Sequence, residues 1–79
     1  MGEWDLYRVV LVAQPDRATQ ERAQVALEEE ARAVGCEIAH ERTYGEDGNW
    51  RGEVYVIGTA GMVARLRPWR EVKSVKPAK

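Results

Sequence analysis

Residues 6–35 read LYRVVLVAQPDRATQERAQVALEEEARAVG and place a strand directly before a helix. The first part, residues 6–13, is a nearly continuous apolar run rich in valine, which is typical of a central strand. Pro15 ends this run, and Asp16 is a good N-cap. Residues 16–34 contain no Gly or Pro and are rich in Ala, Glu, Gln and Arg, which predicts a helix. Gly35 suits the left-handed position that ends a helix.

The second half of the chain predicts further strands. Residues 36–44 and 50–57 are strand-like, and Asp47-Gly48 between them is typical of a hairpin turn. A turn at this dipeptide places Ile38 opposite Ile57 and His40 opposite Tyr55. Residues 62–67 fit either a short helix capped by Thr59 or a second hairpin strand. We favour the strand because residues 62–67 alternate as the two sides of a strand would, with both arginines on one side, and because Pro68 would end a helix after two turns.

These elements predict one α+β domain over residues 1–79, in the order β-α-β-β-β. A single helix packs on one face of a small, mostly antiparallel sheet of four or five strands. Residues 71–75 are the candidate fifth strand, and residues 76–79 are a frayed basic tail. The chain is too short for two domains.

The predicted registers leave one face of the sheet without a helix to cover it. Val54, Val56 and Val63 fall on that face, interspersed with Arg8, Arg65 and Arg67. Burying a valine is worth roughly 1.5–3 kcal/mol, so several valines exposed to water are unfavourable. We therefore expect this face to be covered by the C-terminal tail, by a second copy of the chain or by a different partner.

Catalytic, metal and cofactor sites are not expected. His40 is the only histidine and has no His, Cys or Asp at ligand spacing, so it is expected to be a structural residue on the core face. Cys36 is the only cysteine and has no base suited to activate it. We therefore predict that the protein is not an enzyme. The sequence has neither a membrane-spanning apolar run nor a signal-peptide pattern, which favours a cytoplasmic protein without a membrane partner.

Charge is distributed unevenly along the chain, although the formal net charge is only −1. Residues 1–60 carry six arginines against twelve acidic residues, whereas residues 61–79 carry six cations against Glu71 alone. Such asymmetry indicates an acidic partner or a nucleic acid, or simply a basic tail that offsets an acidic helix. Trp and Arg dominate interface hot spots. The candidate partner-binding residues are Arg8, Trp50, Val54, Val56, Val63, Arg65, Arg67, Trp69 and Arg70.

The closing stretch combines VYVIG at residues 54–58 with MVARLRPWREVK at residues 62–73. It resembles the hairpin-plus-tail ending of some small phage-encoded proteins, among them anti-CRISPR inhibitors. The resemblance covers about the last quarter of the chain. It implies a stoichiometric binder of another macromolecule, such as a phage inhibitor of a host defence complex, and it assigns no functional residue.

Together these observations predict a non-catalytic small binding protein that docks on a macromolecular partner, most simply another protein. Two alternatives remain. One is a nucleic-acid-binding module that uses the basic C-terminal hairpin and tail, and the other is a structural homodimer.

Overall fold

The computed structural model describes residues 3–40 and 52–78. Their elements in chain order are β1 (Asp5–Leu11), α1 (Arg17–Ala33), β2 (Glu37–Ile38), β3 (Glu53–Gly58), α2 (Ala60–Ala64) and β4 (Val72–Pro77). The four strands form one antiparallel sheet in the order β2-β3-β1-β4. The predicted α+β class is confirmed, but the described elements follow the order β-α-β-β-α-β instead of β-α-β-β-β, so two described helices replace the single predicted helix. This fold carries many unrelated functions, so it does not by itself indicate one.

Helix α1 begins and ends where local chemistry favours it. The Asp16 side chain accepts a hydrogen bond of 2.8 Å from the backbone N–H of Thr19, which caps the first turn. Gly35 has a φ of 102°, the left-handed conformation that glycine adopts without strain. The buried side of the helix includes Ala23, Leu27 and Ala31. Two of these are alanines, so the helix lies close against the sheet.

A single hydrophobic core lies between the helices and one face of the sheet, which we call the core face. Leu27 and Ala31 of α1 belong to this core, as do Val63 of α2 and Leu66 just beyond it. Both helices therefore lie on the core face. The strand residues in the core are Val9, Leu11, Val54, Val56 and Val75.

The chain over residues 60–64 is helical, so the predicted second hairpin strand over residues 62–67 is wrong. The Thr59 hydroxyl accepts a hydrogen bond of 3.3 Å from the backbone N–H of Met62, which caps α2. Val63 and Leu66 are three residues apart and both buried, as expected on one side of a helical turn. The alternating pattern that favoured a strand also fits this arrangement, because Leu66 is buried and the arginines beside it are exposed.

The pairing of β2 with β3 differs from the prediction by one residue. Glu37 pairs with Ile57 and Ile38 with Val56, whereas the prediction placed Ile38 opposite Ile57. The backbone N–H of Ala39 donates to the carbonyl oxygen of Tyr55 over 2.8 Å, so Tyr55 does not face His40 as predicted. A slip of one residue moves every side chain to the other face of the sheet. The predicted turn at residues 47–48 lies outside the described residues.

Strand β4 is the last strand and one edge of the sheet. Lys76 and Pro77, predicted to fray, pair with Arg8 and Tyr7 of β1. Ala78 continues the ladder, since its backbone N–H donates to the Leu6 carbonyl oxygen over 2.9 Å. The β1–β4 register passes from Val10–Ser74 to Leu11–Val72, so Lys73 is the extra residue of a β-bulge.

Candidate functional site

The three valines predicted to meet a partner are buried in the core. Val54 and Val56 are 0% exposed and Val63 is 2% exposed. Their predicted placement on the uncovered face is wrong for two reasons. The register slip turns both β3 valines toward the core face, and the helical conformation of α2 turns Val63 toward it as well.

The opposite side of the sheet, which we call the open face, carries a different set of side chains. Alternation along a strand sends the neighbours of buried residues to the other face. The neighbours of Val9, Val54 and Val56 therefore point to the open face, and each is half-buried. Of the described helices and strands, none packs on this face. Its central residues are Leu6, Arg8, Val10, Tyr55 and Ile57.

Polar contacts link three side chains of the open face. The Tyr55 hydroxyl donates to Oε2 of Glu53 over 2.8 Å, and Oε1 of Glu53 lies 3.9 Å from Nη1 of Arg8. The hydrogen bond to Glu53, together with burial, raises the pKa of Tyr55 above its ordinary value of 10.0. Tyr55 is therefore a neutral phenol at neutral pH. The ion pair is partly exposed and stabilises the fold by less than about 1 kcal/mol.

The chain between α2 and the end of β4 carries a concentration of positive charge, which we call the basic segment. Its cations are all exposed: Arg65, Arg67, Arg70, Lys73 and Lys76. Across residues 3–40 and 52–78, the ion pairs are Arg8–Glu53, Arg17–Glu21 and Arg32–Glu28, and none involves the basic segment. The arginines predicted from the sequence, Arg65, Arg67 and Arg70, are thus exposed and make no ion pair within these residues.

Trp69 lies within the basic segment and connects this segment to the hydrophobic core through packing. The side chain is half-buried and packs against the core cluster. It also lines a shallow groove on the α1 side of the molecule, together with Gln14, Thr19, Arg22, Ala23, Ala26 and Glu71. Trp50, the other tryptophan predicted to bind a partner, lies outside the described residues.

The two residues considered for catalysis occupy different environments. Cys36 is buried, and burial raises the pKa of its thiol, so the reactive thiolate is disfavoured. His40 is exposed, whereas the sequence placed it on the core face. In the described parts of the chain, no three His, Cys, Asp or Glu side chains are grouped to hold a metal ion. The described helices include none that is long and apolar enough to cross a membrane.

Several residues of this surface were missed by sequence reasoning. Leu6 and Ile57 lie on the open face, but each belongs to a strand with apolar residues on both sides, so the pattern does not reveal which side is open. Lys73 and Lys76 were counted in the C-terminal charge without being assigned to a surface. Lys73 lay in the candidate fifth strand over residues 71–75, whose register was not predicted, and the strand position of Lys76 could not be known while residues 76–79 were expected to fray.

Comparison with known proteins returned no match to a protein-family model, to a curated protein or to a solved structure.

Proposed function

We propose that this protein is a non-catalytic binding domain that docks on an acidic surface of a protein partner. The observation that carries this proposal is the basic segment, whose five exposed cations make no ion pair with any described residue. The carboxylates of Glu21, Glu28 and Glu53 pair with arginines elsewhere in the fold. Unpaired cations on one side of a molecule steer an acidic partner toward it and form charge-assisted hydrogen bonds on contact.

Apolar contact in the proposed complex comes from the open face rather than from the buried valines. Leu6, Val10 and Ile57 are half-buried there, beside Arg8. Lys76 joins this face to the basic segment, because it is paired with Arg8 across β1 and β4. A surface that combines apolar side chains with arginine is typical of protein interfaces.

The overall charge of the chain favours a protein partner over a nucleic acid. The formal net charge is −1 and the sequence pI is about 5.8. Nucleic-acid-binding domains commonly have a pI above about 9. The exposed side of α1 carries Glu29, which makes no ion pair within the described residues and would repel a phosphate backbone. An acidic protein surface carries its negative charge in a local patch, so binding it does not require a continuous basic groove on this protein.

The proposal extends to inhibition of a host defence complex by a phage-encoded protein in the cytoplasm. Its support is the resemblance of residues 54–73 to the endings of anti-CRISPR inhibitors. The helix at residues 60–64 replaces the hairpin on which part of that resemblance rested. An interference assay tests this extension: expression of the chain should restore phage plating on an immune host. Unchanged immunity would remove the inhibitor proposal for that defence system.

The docking proposal is tested by a pull-down from a bacterial lysate with matched charge reversals. Arg65→Glu/Arg67→Glu alters the basic segment, and Arg17→Glu/Arg22→Glu makes the same charge change on α1. A partner retained by the wild type and the α1 variant but lost by the first variant is the expected result. Equal loss from both variants would contradict a docking role for the basic segment. Tight, strongly salt-dependent binding to a random DNA duplex would favour the nucleic-acid alternative instead.

A further inference from the structure

Two cations face each other across neighbouring strands on the open face. Arg8 of β1 and Lys76 of β4 are direct partners in the antiparallel register. The residues beside them, Val9 and Val75, are buried, so both cationic side chains point to the open face. Like charges placed directly opposite one another destabilise a strand pair. The register therefore places two like charges opposite each other, an arrangement that is unfavourable for the strand pair.

The neighbours of this pair make its charge more effective. Arg8 is also the register partner of Tyr55 on β3, so Tyr55, Arg8 and Lys76 form one row across three strands. Leu6 and Val10 lie on either side of Arg8 along β1, and both are half-buried. Apolar neighbours lower the local dielectric constant, which strengthens both the repulsion between the cations and their attraction to an anion.

The charges of the described residues do not neutralise this pair. Arg8 has one carboxylate near it, Glu53, at 3.9 Å, which is the outer limit of an ion pair. Lys76 makes no ion pair within the described residues. The Tyr55 hydroxyl donates its hydrogen bond to Glu53, so Tyr55 borders the site but does not donate to a ligand between the two cations.

We propose that Arg8 and Lys76 form a carboxylate-binding site that receives an Asp or Glu side chain of an acidic protein partner. This inference rests on the proposed function and names one point at which the partner docks. A carboxylate placed between the two cations accepts charge-assisted hydrogen bonds from both and removes their mutual repulsion. Binding therefore offsets the unfavourable placement of two like charges in the free protein.

The rest of the open face favours a single carboxylate over a nucleic acid. Glu53 lies on this face, and so does Glu37, the register partner of Ile57. These two acidic residues lie on β2 and β3, whereas the two cations lie on β1 and β4, so the positive charge of this face is confined to one site and forms no extended basic track. A phosphate backbone would bring further negative charges against Glu37 and Glu53.

The test compares Lys76→Gln with Lys73→Gln. Both lysines are exposed on β4 and lack an ion pair within the described residues, but Lys73 is the bulge residue and has no partner opposite it on β1. We expect Lys76→Gln to raise the melting temperature by roughly 1–5 °C, because it removes the repulsion with Arg8. The same substitution should weaken binding of a labelled hexaglutamate peptide at least about fivefold. Lys73→Gln also removes one charge of the basic segment but leaves the Arg8–Lys76 pair intact, so it should not change the melting temperature and should weaken peptide binding less than about twofold. Lys76→Arg should bind like the wild type.

Three results would overturn the carboxylate site. One is an equal loss of peptide binding in Lys76→Gln and Lys73→Gln, which would show that each lysine attracts the peptide only through nonspecific positive charge. Another is a lower melting temperature in Lys76→Gln, and the third is absence of hexaglutamate binding to the wild type. Tighter binding of a thymidine oligonucleotide of matched charge would overturn the choice of a protein partner. The outcome of the pull-down with Arg65→Glu/Arg67→Glu does not depend on any of these results. The carboxylate site and the proposed docking function can therefore fail separately.

Discussion

Gly58 ends β3 at a point where a side chain has no room. A Cβ added there would lie 2.8 Å from Sγ of Cys36 and 3.3 Å from Sδ of Met62. Gly58→Ala must therefore displace one of these sulfur-containing side chains, at an expected cost of about 1–3 kcal/mol in the free energy of unfolding. Urea denaturation measures this cost. Gly61→Ala is the matched control, because the nearest atom to its added Cβ is Thr59 Oγ1 at 3.9 Å.

The control should change stability in the opposite direction. Gly61 lies within α2, where alanine is favoured over glycine by about 1 kcal/mol. If Gly58→Ala unfolds at the same urea concentration as the wild type, the close approach of β3 to the Cys36 thiol would be disproved.

Asp16 makes the stability of α1 depend on pH. Hydrogen bonds from the backbone N–H and the hydroxyl of Thr19 lower the pKa of Asp16 below its ordinary value of 3.8. A carboxyl group whose pKa is lower in the folded state stabilises the fold above its unfolded pKa. This contribution is lost as the pH falls through the folded pKa. Asp16→Asn keeps a capping oxygen but does not titrate, so its unfolding free energy should fall less than that of the wild type on acidification.

The measurement is urea unfolding of the wild type, Asp16→Asn and Asp16→Ala at a series of pH values between about 5 and 2. Asp16→Ala should be less stable than the wild type at the upper end of this range, because its cap is absent. Parallel pH profiles for the wild type and Asp16→Asn would show that the charge of Asp16 contributes nothing.

The conformation of α2 is tested by two neighbouring residues. In the helix Val63 is 2% exposed, whereas Ala64 is exposed. A strand would place Ala64 on the same side as buried Leu66 and Val63 on the opposite side. Val63→Ala should therefore destabilise the fold by about 2 kcal/mol through the cavity it leaves. Ala64→Glu should change the free energy of unfolding by less than about 0.5 kcal/mol. Thermal unfolding measures both effects. A larger loss of stability in Ala64→Glu than in Val63→Ala would support the strand conformation instead of the helix.

The strand elements show why the sequence predicted the fold class but not the faces of the sheet. Strand β3 has Val54 and Val56 on one side and Tyr55 and Ile57 on the other, so both sides are apolar. Alternation specifies a register only where one side is polar. The hairpin signal at residues 47–48 was then the sole guide to register, and it led to a slip of one residue. Helix α1 was predicted to within a residue because its cap and composition act locally.

At the scale of the whole molecule, the arginines of the candidate site were predictable and the valines were not. Arg65, Arg67 and Arg70 are exposed in either a strand or a helical turn, since a charged side chain avoids the core in any register. The exposure of Val54 and Val56 depends entirely on which side of β3 faces the helices. The exposure of these arginines therefore follows from their charge, whereas the apolar part of the site had to come from the structure; the binding role of the arginines stays a prediction.

The edge of the sheet at β4 predicts how copies of the whole molecule behave toward one another. Because the Ala78 N–H donates inward to β1, alternation directs the backbone of Pro77 and Val75 outward. Pro77 has no N–H to offer a further strand, Lys73 forms a bulge, and Lys76 adds charge. Prolines, bulges and lysines at an edge oppose strand-to-strand association.

We therefore expect a monomer in sedimentation velocity, and Lys73→Val/Lys76→Val/Pro77→Val should self-associate as concentration rises. Lys73→Gln/Lys76→Gln, which retains Pro77, should remain monomeric. A wild-type dimer, or a triple variant that stays monomeric over the same concentrations, would contradict this account of the edge, and the dimer would support the homodimer alternative.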